Sequence, residues 1–273
     1  MLSTTVMYFV ARLPNEDLMS WGWRIPFLTG FVLVVVGMMI RLGVEETTDF
    51  SEVKKAGAVQ RNPIGNVLRT MPGRVLAGIG LQAAVIVLFY LITTYMLTLA
   101  TNVHGFTRGD TLIILLIAGT IDLFAMLAFA VLSDRFPARR MFLIGSVFTA
   151  VFAFPMFLLF DSGNMLLMTI AFTVALVVGH APTYAVVSSL TSDLFPASIR
   201  YSGVALCSAF AGVAWAGPTP IVATALVPPD GSAHWWPLPV LLIATVVISI
   251  TSALVVRPKA PAEEEQGVEV AVS

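Results

Sequence analysis

The sequence predicts an all-α, polytopic helical membrane protein, and three observations carry that prediction. Of its 273 residues, 58% are apolar and only 11% charged, with a mean hydropathy of +0.90. An average soluble domain is roughly 25% charged, because polar groups must cover its surface. Apolar runs recur near 22–42, 74–100, 111–133, 141–160, 165–190, 201–226 and 235–256, each about the 20 residues a helix needs to cross a bilayer core. Stretches such as 31–40 and 238–248 do not alternate apolar and polar residues, as the strands of a membrane barrel must. Helices are then the way to satisfy backbone groups in lipid.

Composition also excludes several function classes. A net charge of −1 offers no electrostatic partner, and nothing points to nucleic acid. The one cysteine, Cys207, cannot form a disulfide within the chain. His104, His180 and His234 are too scattered for a metal site. No phosphate-binding glycine loop or nucleophile elbow is present, so no enzyme is expected.

In chain order, residues 2–11 form an apolar stub too short to span. They join the run 22–42 as a leading part, 1–42. Segment 43–73 is the one long polar connection, with Glu45, Glu46, Lys54, Lys55, Arg61 and Arg69. Residues 74–256 make a block of six helices. The tail 257–273, with its acidic run 263–265, is expected to be disordered. If 43–73 is cytoplasmic and the helices alternate, the outer segments hold only Arg12, Arg24 and Arg108 of the 15 Lys and Arg residues. The positive-inside rule then places the C-terminus in the cytoplasm.

Four segments between the runs carry motifs. Residues 134–140 read DRFPARR: an Asp at a helix end, then clustered Arg. The carboxylate suits a helix N-terminus and the guanidinium groups suit a carboxylate or lipid phosphate. A plain positive-inside anchor fits equally well. Residues 193–203 read DLFPASIRYSG, where Pro196 stops one helix and Arg200, Ser202 and Gly203 begin the next. Residues 21–27 read WGWRIPF and 41–50 read RLGVEETTDF.

Together with Phe89–Tyr90–Leu91–Ile92–Thr93–Thr94–Tyr95–Met96, these segments resemble the metabolite:proton symporter branch of the major facilitator superfamily, in order, over about residues 2–256. Pro137 stands where the family carries glycine. The resemblance implies that 74–256 is the C-terminal six-helix bundle of a major facilitator fold, that 22–42 is helix six and that 2–11 is a stub of helix five. Roughly 140 residues of such a protein would then be missing ahead of it. It further implies proton-coupled symport of a small polar metabolite, an organic acid such as shikimate or 2-oxoglutarate or a zwitterion such as proline or betaine. The proton is the coupling ion and no other cofactor is expected. The host is the cytoplasmic membrane of a bacterium. Asp134, Arg135, Arg139, Arg140 and Arg200 would form a cytoplasmic gate. A chain lacking half the cavity would not complete a transport cycle alone. The alternative is a non-transporting fragment, or an assembly partner of a second chain that supplies the remaining helices.

A few polar residues lie deep in the runs. Asp122 precedes Asp134 by 12 residues, about 18 Å along a helix. A charge there is costly and needs a partner or cavity. It serves proton or substrate coupling, or is a protonated packing residue. His180 is 13 residues before Asp193, at similar depth, beside Pro182, which predicts a kink. It is a proton relay or a satisfied buried histidine. Gln82, Tyr90 and Thr94 share a helical face and, with Tyr184, are candidate cavity residues or plain packing groups. Ser208, Gly212 and Ala216 repeat every four, which predicts close helix packing, and 217–220, reading GPTP, predicts an interruption or hinge.

Overall fold

The computed structural model describes residues 2–43, 63–196, 199–230, 232 and 234–255. The motif residues 45–50, Ala197, Ser198 and the tail 257–273 lie outside the described residues. Every regular element among those described is helical. The chain opens with α1 (Leu2–Val10), α2 (Asn15–Ser20), a short turn of helix and α3 (Ile25–Gly43). After α4 (Pro63–Thr70) come α5 (Pro72–Val103), α6 (Arg108–Ser133), α7 (Ala138–Asp161), α8 (Met165–Ser192), α9 (Arg200–Leu226) and α10 (Pro237–Val255). The last six and the segment Gly22–Ile40 are long and apolar enough to cross a membrane. All seven expected runs therefore become helices.

Local chemistry sets the boundaries. Pro72 and Pro237 open α5 and α10, where a missing N–H costs nothing. Thr107 caps α6 in a reciprocal box with Asp110: each side chain accepts the other's backbone N–H. Asn164 accepts from the N–H groups of Leu166 and Leu167 at the start of α8. Asn164→Ala is expected to lower stability by about 0.5–2 kcal/mol, read by thermal melting. Gly105 (φ +71°) and Gly163 (φ +64°) make the tight turns before α6 and α8, in a region that side chains with a Cβ avoid. In the segment joining α9 to α10, hydrogen bonds from Ser232 hold the Asp230 carboxyl below its usual range.

α7 is the hub of the bundle, packed against α8 and α10. α6 packs on α8, and α5 on α9 and α10. Two apolar cores result. One joins α5, α6, α7, α8, α9 and α10 away from the arginine-rich end, around Phe157, Phe172, Leu91 and Met168. The other lies at the arginine-rich end, around Phe142, Phe195, Leu194 and Cys207. Between them runs a polar waist of buried Asp122, Ser146, Thr149, His180 and Thr183. α1 lies against α3 and α6, while the window of α3 has no buried residue.

One expectation needs correction. The stripe Ser208, Gly212, Ala216 is not the packing face of α9. Its buried face is Gly203, Cys207 and Ala211, and a Cβ on Gly212 would meet nothing. Both stripes repeat small residues every four positions, so spacing alone cannot choose between them. The GPTP segment interrupts α9, as expected, without ending the span. A π-helical turn (Gly212–Ala216) precedes Pro218, and the span continues to Leu226. Similar wide turns occur at Leu91–Met96 in α5 and Ala175–His180 in α8. The break expected beside Pro182 is therefore a wide turn ahead of it, ending on His180.

Candidate functional site: a buried acid–histidine pair

The structure brings Asp122 and His180 together. Nδ1 of His180 lies 3.2 Å from Oδ2 and 3.4 Å from Oδ1 of Asp122, and both side chains are about 5% exposed. Each comes from a different helix, α6 and α8, and both sit in the polar waist. A lone carboxylate at this depth is costly; a hydrogen-bonded imidazole offsets part of that cost. With Nδ1–H donated to the carboxylate, Nε2 is the ring nitrogen that carries the lone pair and accepts hydrogen bonds.

Aromatic rings enclose the imidazole on two sides. Phe89 of α5 stacks at a centroid distance of 5.5 Å, and Tyr184 of α8 at 5.1 Å, both within 30° of parallel at 29° and 28°. Phe89 and Tyr184 are themselves partly exposed, at 38% and 52%. The pair is thus buried beneath two rings that are themselves partly exposed.

The backbone around His180 is fixed by close approach. A Cβ on Gly145 of α7 would meet Thr183 Cγ2 at 2.8 Å, Pro182 Cγ at 2.9 Å and the Gly179 carbonyl at 3.1 Å. The Thr183 hydroxyl donates to the carbonyls of Gly179 (2.9 Å) and His180 (2.7 Å), tying its side chain back onto the turn that carries the histidine. Thr149 donates to Gly145 O at 2.9 Å. The segment Gly145–Ser146–Thr149 was a legible small-residue signal for this contact, and sequence reasoning passed over it.

Other expected residues fall elsewhere. Gln82 is half-buried and donates to its own helix at Gly78 O (3.4 Å). Tyr90 stacks edge-on against Phe89 at 6.1 Å. Thr94 is exposed. Among the described residues, none of the three bonds to the pair.

The arginine-rich end is organised by guanidinium–carbonyl contacts. Arg139 donates to Leu254 O, the last turn of α10, at 3.0 Å. Arg200 donates to Phe195 O at 3.3 Å, and Arg74, absent from the expected set, donates to Leu194 O at 2.9 Å. Basic side chains suit the unpaired carbonyls at helix ends. Asp134 closes α6 through its backbone N–H and, like Arg135 and Arg140, is exposed. Among the described residues no ion pair joins Asp134 to the arginines. A cavity of about 190 Å³ opens beside Arg139 and Asp193 at this end.

A multi-pass helical bundle with a polar waist and a buried acid–histidine pair has the anatomy of a membrane carrier. Residues 113–271 match the Major Facilitator Superfamily, and the chain belongs to that family. It is similar to the shikimate transporter of Escherichia coli (strain K12), 30% identical over 260 residues, which cover 94% of this chain and 59% of that protein. It is 34% identical over 239 residues to the proline/betaine transporter of the same strain, covering 83% and 47%. The citrate-proton symporter of Klebsiella pneumoniae is 27% identical over 217 residues, covering 80% and 48%. The chain thus spans about half the length of the curated relatives it matches. No solved structure matches it. The relatives are transporters of the metabolite:proton symporter branch, and the family's members are not enzymes.

Proposed function

We propose that the chain serves proton-coupled symport of a small polar metabolite, an organic acid or a zwitterion, across the inner membrane of a bacterium. The observation that carries this reading is the Asp122–His180 pair: a titratable acid and a titratable base, hydrogen-bonded and buried at mid-depth. The pair would carry the coupling proton, and Phe89 and Tyr184 stack against its imidazole. Alternating access in such carriers moves helix bundles around a midplane site. The exposed faces of Tyr184, Tyr90 and Thr94 then border the substrate path. The arginine-rich end faces the cytoplasm, as the positive-inside rule asks. There Arg74, Arg139 and Arg200 hold helix ends together, and Asp134, Arg135 and Arg140 form the outer layer of the gate. The proton is the coupling ion.

Uptake into membrane vesicles from cells expressing the chain together with the N-terminal helices of such a carrier tests this. Labelled shikimate, citrate, proline and glycine betaine are supplied under an imposed inward proton gradient. Accumulation of at least one is expected above vesicles lacking the chain, and a protonophore should abolish it. Accumulation that survives the protonophore defeats proton coupling.

A further inference from the structure

Helix α5 is not continuous. Between residues 79 and 84 its hydrogen-bond ladder is replaced by side chains from neighbouring helices. The Ala84 N–H, whose regular partner would be Gly80 O, donates instead to Ser249 Oγ of α10 at 2.9 Å. The same hydroxyl donates to Gly80 O at 2.9 Å, with Leu81 O at 3.3 Å. Ser249 is fully buried. One carbonyl earlier, the indole N–H of Trp215 donates to Ile79 O at 2.9 Å from α9. Gln82 sits at the break with φ −85° and ψ −8° and donates its own amide to Gly78 O. A hydroxyl inserted between the N–H of residue i and the carbonyl of residue i−4 is a recognised cause of a sharp helix bend.

The break lies at Gln82, seven residues before Phe89. Everything in α5 beyond Ala84 is aimed by it, including the ring that stacks on His180. We infer that Ser249 and Trp215 are positioning residues for the Asp122–His180 pair: by holding α5 open at Gln82 they set Phe89 against the imidazole. Without the Ser249 hydroxyl, Ala84 N–H and Gly80 O are each other's regular helical partners, and a buried unpaired group is costly. The helix closes its ladder, straightens, and carries Phe89 off the ring. The functional meaning of this rests on the proton-site reading above, but the geometry does not.

The test therefore uses no transport assay. The chain is labelled with ¹⁵N-histidine and placed in lipid nanodiscs, with a His180→Gln sample identifying the His180 signals. Ser249→Ala is expected to displace the His180 ring-nitrogen resonances and to remove the cross-peak between the Phe89 and His180 rings. The resonances of His104 and His234 should stay in place. Unchanged His180 resonances and an intact cross-peak in a folded Ser249→Ala chain overturn the inference. Trp215→Phe, which removes the donor to Ile79 O and keeps an aromatic ring, gives the same two readings if Ser249→Ala does not fold. Failure of proton-driven uptake leaves these results untouched, so the two proposals fall separately.

Discussion

In a carrier completed by its N-terminal helices, replacing Asp122 by asparagine is expected to abolish uphill accumulation of substrate while sparing downhill exchange. The amide is close in size to the carboxyl, and its oxygen still accepts the Nδ1–H of His180, so the geometry of the pair survives. What is lost is the carboxyl group that can bind and release a proton beside the imidazole. At one proton per substrate, each unit of pH gradient supports about tenfold accumulation, or ~1.4 kcal/mol. The variant should therefore fall from roughly tenfold per pH unit to simple equilibration. Counterflow measured in the same vesicles should stay near the unmodified level, because it needs the substrate path and no net proton movement. Unchanged uphill accumulation would make Asp122 a packing residue, paired with His180 only to reduce the cost of burial.

Gly145→Val is expected to have the largest effect on the fold. The added carbon would lie within 3.1 Å of the Gly179 carbonyl and 2.9 Å of the Pro182 ring. Neither a backbone oxygen nor a proline ring can rotate away, so α7 and α8 must separate. Overpacking of this kind costs typically ~1–3 kcal/mol. Because His180 follows Gly179 directly, the displacement also reaches the pair. Thermal melting followed by tryptophan fluorescence gives the stability change, with Gly37→Val in α3 as reference. A Cβ on Gly37 would meet nothing, so that variant should melt close to the unmodified chain. Equal melting of the two variants would sink the claim that α7 and α8 touch too closely at Gly145 for any side chain.

Depth was legible in the sequence; rotation was not. Counting residues from the arginine-rich end put Asp122 and His180 at one level, because each helical residue rises by a fixed 1.5 Å. That the two side chains face each other depends on how α6 and α8 are turned about their axes. The wide turn ending at His180 changes that turning, and no residue type in Ala175–His180 announces it. The shared face of Gln82, Tyr90 and Thr94 suffered similarly. It assumed one unbroken period, whereas α5 breaks at Gln82 and widens again over Leu91–Met96. In α9 the rule of small residues held but attached to the wrong stripe by one residue, since Gly203, Cys207 and Ala211 satisfy it as well. The arginine motifs located the right end of the bundle, yet charge pairing was the weaker guide there. The guanidinium groups of Arg74, Arg139 and Arg200 find backbone carbonyls, which carry no sequence signature.

The wide turns also make the gene unevenly tolerant of length changes. A π-helical turn holds one residue more than the α-helical turn it replaces, while the helix on either side keeps its facing. Loss of one codon within Ala175–His180 would turn that stretch into ordinary helix and leave the flanks where they are. Loss of one codon in α7, which runs without such a turn, would rotate every later residue of that helix by about 100° and draw it in by about 1.5 Å. Among descendants of this gene, single-residue deletions should therefore collect in three short windows: 91–96, 175–180 and 212–216.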